Sequence, residues 1–415
     1  MYNLVWHNAR YAVHYALALQ GLQLAIVWVT MRSAQTVLAC TVCMIAMITG
    51  ELPCIRGSAP TPRSSTSDMP DRASFRAVLG SFIVGWTADR LTFSALLSPP
   101  ALSHTPARSL VWSSVPGQPF LRVASVNFSA PEYQGVFFVS TDQRWSSETL
   151  SVDYWRQPSD NSVLIAGQLG VGGAMFNYSL LLSETGAGTL HFNASVAIAG
   201  RPTPTLLSQP NCLSLVFASE PTEAIFGMGS SYTDLNLKGR AVPVITSEQG
   251  VGRGLQPVTL ALNTFEHGAG GNWHTTYTPI PHYVSSRNVS FYLTNSEYSV
   301  FNFTEADATA VSVMDLLPAA GHISAAGAVL AASSPLDLIE LYANYSGRMP
   351  PLPEWMAANG AIVGMEGGTA SIRTKVAQLQ AAQVPVAGLW VQDWTGVRQD
   401  SFGKRLLWNW EVDEQ

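Results

Sequence analysis

The hydrophobic and polar positions change rhythm three times along the chain. Residues 15–30 and 34–50 form two largely apolar, uncharged runs separated by Arg32, and no acidic residue precedes Glu51. Each run is shorter than the ~20 residues that a membrane-spanning helix usually needs. Met31, Arg32 and the second run follow the order of a secretory signal peptide, a short basic start and then an apolar stretch. This order predicts entry into the secretory pathway for residues 1–55. A membrane anchor built on the first run is the alternative. Residues 56–74 are rich in Ser, Pro, Thr and Arg without apolar periodicity, and read as a linker.

From 75 to 332 the pattern is that of strands. Phe82-Ile83-Val84-Gly85-Trp86, Val136-Phe137-Phe138-Val139, Ser214-Leu215-Val216-Phe217 and Val289-Ser290-Phe291-Tyr292-Leu293 are rich in β-branched and aromatic residues. Gly, Pro, Asn and Ser clusters divide them. So long a succession of strands, with no convincing amphipathic helix, predicts a β-sandwich.

At 333–350 the period becomes helical. Ser334 can cap a helix with Pro335 at its first position and Asp337 three residues after the cap, and Gly347 is placed to end it. Leu338, Leu341, Tyr342 and Tyr345 fall on one face. After Pro350, Pro351 and Pro353, the short apolar run Gly360-Ala361-Ile362-Val363-Gly364 reads as a buried strand. Thr369 can cap a helix to about Gln383 with Ile372, Val376 and Leu379 inward, and residues 386–391 read as a second strand. This βαβ unit is the expected opening, over 351–415, of a parallel α/β domain.

Composition narrows the partners. A formal net charge of −6 and a charged fraction of 12% leave no basic footprint for nucleic acid. Six Asn-X-Ser/Thr sequons, at Asn127, Asn177, Asn193, Asn288, Asn302 and Asn344, agree with the secretory route. Cys40 and Cys43 have redox or zinc spacing, but they lie inside an apolar run without a second pair. Gly250, Gly252 and Gly254, and the Gly-rich run 167–173, open no helix after a strand, so neither is a phosphate loop. Glu266, His267 and His274 fit no zinc spacing and read as a surface loop. No cofactor or metal is expected.

The junction Leu341-Tyr342-Ala343-Asn344-Tyr345-Ser346-Gly347-Arg348-Met349-Pro350-Pro351-Leu352-Pro353-Glu354-Trp355 resembles the junction between β-sandwich and barrel in glycoside hydrolase family 31. The segments Gln392-Asp393-Trp394-Thr395-Gly396-Val397-Arg398 and Ser401-Phe402-Gly403-Lys404-Arg405-Leu406-Leu407-Trp408-Asn409-Trp410 resemble the sulfoquinovosidase branch of that family more specifically. So does Thr246-Ser247-Glu248-Gln249-Gly250-Val251-Gly252-Arg253. The likeness implies a galactose-mutarotase-like β-sandwich followed by the first βαβ unit of a (β/α)8 TIM barrel, incomplete in this chain. It also implies a retaining glycosidase acting on a small carbohydrate, a sulfoquinovoside, with Gln392, Arg405 and Trp408 binding the sulfonate.

The chemistry of those side chains suits that role. A sulfonate is a permanent anion with three acceptor oxygens. Arg405 supplies an always-charged multi-donor fork, Trp408 an indole N–H and Gln392 an amide NH2. If residues 404–408 are helical, Arg405 and Trp408 share a face at i and i+3. Taken alone, Arg405 could equally pair with Asp393 or Asp400, and Trp408 could be core packing. Asp393 and Trp394 are candidates for hydroxyl contact and ring stacking. Glu248, Gln249 and Arg253 lie on a Gly-flanked loop that either reaches the barrel mouth or is a structural turn.

The chain departs from the family at Gly227-Met228-Gly229-Ser230-Ser231, where members often carry Gly-X-Gly-Glu. The resemblance also implies that both catalytic Asp residues lie on later barrel strands, so the chain by itself is expected to be inactive. The rival functions are an α-glucosidase of the same family and a non-catalytic secreted carbohydrate-binding protein.

Overall fold

The computed structural model describes residues 74–87, 91–97, 109–133, 135–197, 209–231, 234–316, 322–358, 360–365, 367–391, 397–400 and 403–406. Both N-terminal apolar runs, and the linker up to residue 73, lie outside these. Of the two compact units in the chain, the first includes only Ser140–Asp142 among the described residues, and the second includes the rest. No described helix is long and apolar enough to cross a membrane.

Two large sheets carry the fold. The larger has eight strands in the spatial order Ile225–Gly229, Pro279–Ser285, Val289–Leu293, His322–Ala331, Thr189–Ala197, Ala174–Gly186, Ser162–Val171 and Thr149–Ser159, each antiparallel to its neighbours. The second has six, in the order Ala241–Val244, Tyr298–Asn302, Ala308–Met314, Cys212–Ala218, Leu121–Ser129 and Ser140–Ser146. A smaller antiparallel sheet runs Ser74–Leu79, Phe82–Thr87, Phe93–Leu97 and Ser109–Ser113.

Strict alternation explains why the two large sheets face each other. In Ala174–Gly186 the even positions from Tyr178 to Glu184 are buried and the odd ones are not. Thr189–Ala197 repeats this with Leu190, Phe192, Ala194 and Val196 inward. The apolar ones among these join Leu213, Leu215, Phe217, Val311 and Val313 of the six-stranded sheet, and Leu79, Phe82 and Trp86 of the smallest, in one continuous core. Two sheets sharing one apolar core make a β-sandwich. Trp112 is its aromatic hub, with the rings of Phe93, Phe120, Phe192, Phe217 and Phe291 at 5.1–6.2 Å.

Three expectations need correction. The run 136–139 forms only the two-residue strand Val136–Phe137, because Phe138 leaves the ladder and packs its ring on His267 at 4.1 Å. The strand region also contains a helix, α1 (Val258–Phe265). It is short, and no side-chain hydrogen bond caps it at Pro257, so it lacks the usual start signal. Thr369 is not a cap: the helix there begins at Gly368, after Gly367 in the left-handed region.

Helix α2 (Pro335–Ser346) starts as its sequence requires. Ser334 is extended, its hydroxyl accepts from the Asp337 amide at 3.3 Å, and Gly347 ends the helix at φ 78°. Its buried face, led by Leu338, covers Tyr292, Ala328 and Leu330 on the eight-stranded sheet. A short helix α3 (Glu354–Ala358) follows the Pro-rich turn. Strand Ala361–Met365, helix α4 (Gly368–Ala381) and strand Val386–Val391 then form a βαβ unit whose strands pair in parallel, Val363 opposite Leu389.

Candidate functional site

Glu248, Gln249 and Arg253 are brought together on a platform of two interlocked loops. The loop between Val244 and α1 lies along the loop that follows α1. The Val251 amide donates to the Ala269 carbonyl at 2.8 Å, and that of Arg253 to Gly270 at 2.9 Å. Thr275 Oγ1 donates to the Gln249 carbonyl at 2.8 Å, and the Ser247 amide donates to Thr276 at 3.0 Å. This closeness depends on glycine. Gly250 and Gly271 both have positive φ, 65° and 63°, and a Cβ on Gly250 would fall 2.3 Å from the Gly271 nitrogen. The Gly-flanked pattern in the sequence is therefore a backbone-packing device that presents the residues between the glycines.

On this platform the Glu248 carboxylate accepts from the Tyr277 hydroxyl, and the Gln249 side-chain carbonyl accepts from the Arg253 guanidinium. Glu248 is exposed, while Gln249 and Arg253 are half-buried. Burial, with the Glu248 hydrogen bond and charge, pushes the Tyr277 phenol up to about 12, against a smaller opposing pull from Arg253. The platform therefore presents a carboxylate and an amide already oriented by partners on their own loops, an arrangement suited to hydrogen-bonding neutral hydroxyl groups. Beside it, Arg240 lies over the Trp273 ring at 5.1 Å while pairing with Asp234 at 2.9 Å. Sequence reasoning did not single out Tyr277 or Trp273. Both follow the His-Gly-rich stretch as isolated aromatics, and only the loop pairing gives them neighbours.

The metal-like group is dispersed into other contacts. Glu266 accepts from Tyr133 at 2.5 Å, His267 packs on Phe138, and His274 meets the Trp273 ring edge at 5.1 Å. Burial pulls His274 down to about 4, with a backbone hydrogen bond opposing it in part.

Arg405 lies on strand Gly403–Leu406, paired antiparallel with Val397–Asp400 so that Arg405 stands opposite Arg398. Over residues 404–406 the condition that this stretch be helical is therefore not met. Only two residues separate these strands, and local ladder pairing takes the backbone groups that a helix turn would use. The i, i+3 reason for placing Trp408 beside Arg405 lapses with it. Gln392, Asp393, Trp394 and Trp408 lie outside the described residues; Gln392 directly follows the end of strand Val386–Val391 in sequence.

No protein-family profile matches the chain. Two curated proteins do: the sulfoquinovosidase of Escherichia coli (strain K12), 33% identical over 205 residues, and that of Agrobacterium fabrum (strain C58 / ATCC 33970), 33% identical over 204. Each match covers 49% of this chain but 29% of the relative, so the matched part spans under a third of their length. Among solved structures, a GH31 family sulfoquinovosidase from E. rectale in complex with an aza-sugar inhibitor superposes with a TM-score of 0.57 at 23% identity. The superposition covers 77% of this chain and 43% of the other. The fold agrees with the sequence match: over about half of its length the chain is similar to curated sulfoquinovosidases, and its fold resembles that of a GH31 family sulfoquinovosidase.

Proposed function

We propose that this chain is part of a retaining α-sulfoquinovosidase of the secretory pathway. The observation that carries this reading is the 33% identity to two curated sulfoquinovosidases across 205 residues. In this reading the parallel unit from Ala361 to Val391 opens a (β/α)8 barrel, whose active sites form at the C-terminal ends of its strands. Gln392 follows such an end. The Arg405 guanidinium supplies the fixed cation for the sulfonate, and the Trp408 indole and Gln392 amide supply neutral donors. Asp393 and Trp394 contact the sugar ring, and Glu248 and Gln249, braced by Tyr277 and Arg253, meet its hydroxyls.

Retaining hydrolysis needs two carboxylates ~5–5.5 Å apart, one as nucleophile and one as acid/base. We assign neither role to a residue of this chain. The secretory part of the reading rests on the apolar N-terminal runs and the six sequons.

Steady-state kinetics of the full-length enzyme on paired α-sulfoquinovoside and α-glucoside substrates tests the assignment. kcat/KM should favour the sulfoquinovoside by at least about 100-fold, and Arg405→Lys should remove most of that preference, because a point charge cannot reproduce the guanidinium fork. Equal loss on both substrates would place Arg405 outside sulfonate recognition. A preference for the glucoside would replace the reading with that of an α-glucosidase.

A further inference from the structure

The six sequons are equivalent in sequence, but the fold separates them. Asn177 and Asn193 project from one surface, the outer face of the eight-stranded sheet. On Ala174–Gly186 and Thr189–Ala197 the outward positions are odd-numbered, and Leu181, four residues beyond Asn177, stands opposite Asn193. Both asparagines are exposed. Across the strands Gln168 faces Asn177 and donates to its Oδ1 at 3.1 Å, while Asn193 lies between Leu181 and Ala326. Ser179, Ser195 and Ser324 lie on the same face, with Ser195 opposite both Ser179 and Ser324. Met175 and Leu181 share the outward positions of Ala174–Gly186, so the face is mixed in character, and both asparagines stand on it open to solvent.

Asn288 is the contrast. Its backbone is in the left-handed region, φ 58°, between Pro279–Ser285 and Val289–Leu293. It is half-buried, and its Nδ2 donates to the Ser333 carbonyl at 3.1 Å, tying the turn to the residue just before the α2 cap. A sugar on that nitrogen would sit where the chain enters α2.

We infer that Asn177 and Asn193 are N-glycosylation sites and that Asn288 is not. The inference rests on the secretory reading above. The reaction joins Asn Nδ2 to C1 of the first N-acetylglucosamine of an oligosaccharide carried on a lipid diphosphate. The C1–O bond to the diphosphate breaks, the lipid diphosphate leaves, and the amide gives up one proton. The two glycans stand on neighbouring strands of one outer face and cover the side of the sandwich towards its edge strand, Thr149–Ser159.

The experiment uses the full chain with its own N-terminus, produced in a eukaryotic host, with an added C-terminal Asn-Ala-Thr acceptor as a reporter of lumenal entry. Release of glycans by peptide-N-glycosidase in heavy-oxygen water marks each modified Asn as labelled Asp, read by peptide mass spectrometry. The expected result is label at the reporter, Asn177 and Asn193, none at Asn288, and one gel-mobility step lost in each of Asn177→Gln and Asn193→Gln. A labelled reporter with Asn177 or Asn193 unlabelled, or with Asn288 labelled, overturns the site assignment and leaves the secretory reading standing. An unlabelled reporter overturns the secretory reading, and the assignment with it.

Discussion

Gly250 shows how one position without a side chain sets the geometry of charged neighbours. Its φ of 65° and the approach of the Gly271 nitrogen leave no room for a Cβ. Gly250→Ala must both adopt a disfavoured backbone conformation and push the two loops apart. We expect it to destabilise the protein by about 1–3 kcal/mol, and to weaken substrate binding by the full-length enzyme because Glu248 and Gln249 move with the loop. Thermal denaturation and KM measured together check this. An unchanged melting temperature would show that the loops separate without cost. The sequence carried the Gly-X-Gly-X-Gly spacing openly, but it could not show that the partner is a second glycine-containing loop beyond an intervening helix. That partnership is made by backbone approach, which leaves no side-chain pattern.

At the scale of elements, α2 is held by an aromatic patch whose protonation state matters. The His282 ring stacks on Tyr342 at 3.6 Å with an interplanar angle of 2°, its Nε2 is 2.8 Å from the Ser290 hydroxyl, and Tyr345 stacks on Tyr292 at 4.4 Å. Burial pulls His282 from its ordinary 6.5 down to about 4, so the folded protein keeps it neutral. In the unfolded chain it takes a proton as pH falls below 6.5. The stabilising contribution is therefore whole above 6.5 and is lost progressively as pH falls through the folded value near 4. A depression of this size corresponds to roughly 3 kcal/mol across that window. His282→Phe keeps a flat ring for Tyr342 and removes the titration, so its melting temperature should fall less than that of the parent between pH 7 and pH 4.5. Parallel melting curves would argue against this origin.

The cap of α2 was readable because Ser334, Pro335 and Asp337 are local signals acting within one turn. The strands were readable because burial on one face imposes a period of two, as in Ala174–Gly186. Helix α1 was not, since VTLALNTF mixes β-branched and helix-forming residues over little more than two turns and has no side-chain cap. The local structure at Arg405 stayed open for a related reason. Lys404-Arg405-Leu406 suits helix or strand, and the short connection back to Val397–Asp400 decides for strand.

Over the whole molecule, burial is very uneven, and this sets where the chain opens first. In the sandwich, side chains such as Phe82, Phe120, Phe301, Leu180 and Val313 are fully buried in one core. In the βαβ unit, α4 has no buried residue, and Ile362, Leu389 and Trp390 are 51%, 44% and 65% exposed. The Pro-rich approach to it is open as well, with Met349 at 83% and Leu352 at 64%. A segment with few buried apolar contacts has a low local unfolding free energy, and proteases sample such openings before global unfolding. Sequence pattern anticipated this unit's strands but not their exposure, since an apolar run reads as buried whether or not the covering elements are there. Limited proteolysis of the 415-residue chain should therefore cut first between Met349 and Val391 and leave a resistant fragment containing the three sheets, from Ser74 to Ala331. Each early cut is located by mass spectrometry of the released peptides. Cleavage in the strands of the sandwich at the same rate as in residues 349–391 would show that the exposed apolar side chains there are not a measure of local stability. If the first cuts fall as expected, the resistant fragment should retain the cooperative thermal transition of the whole chain, because that core is built from the three sheets and the residues adjoining them.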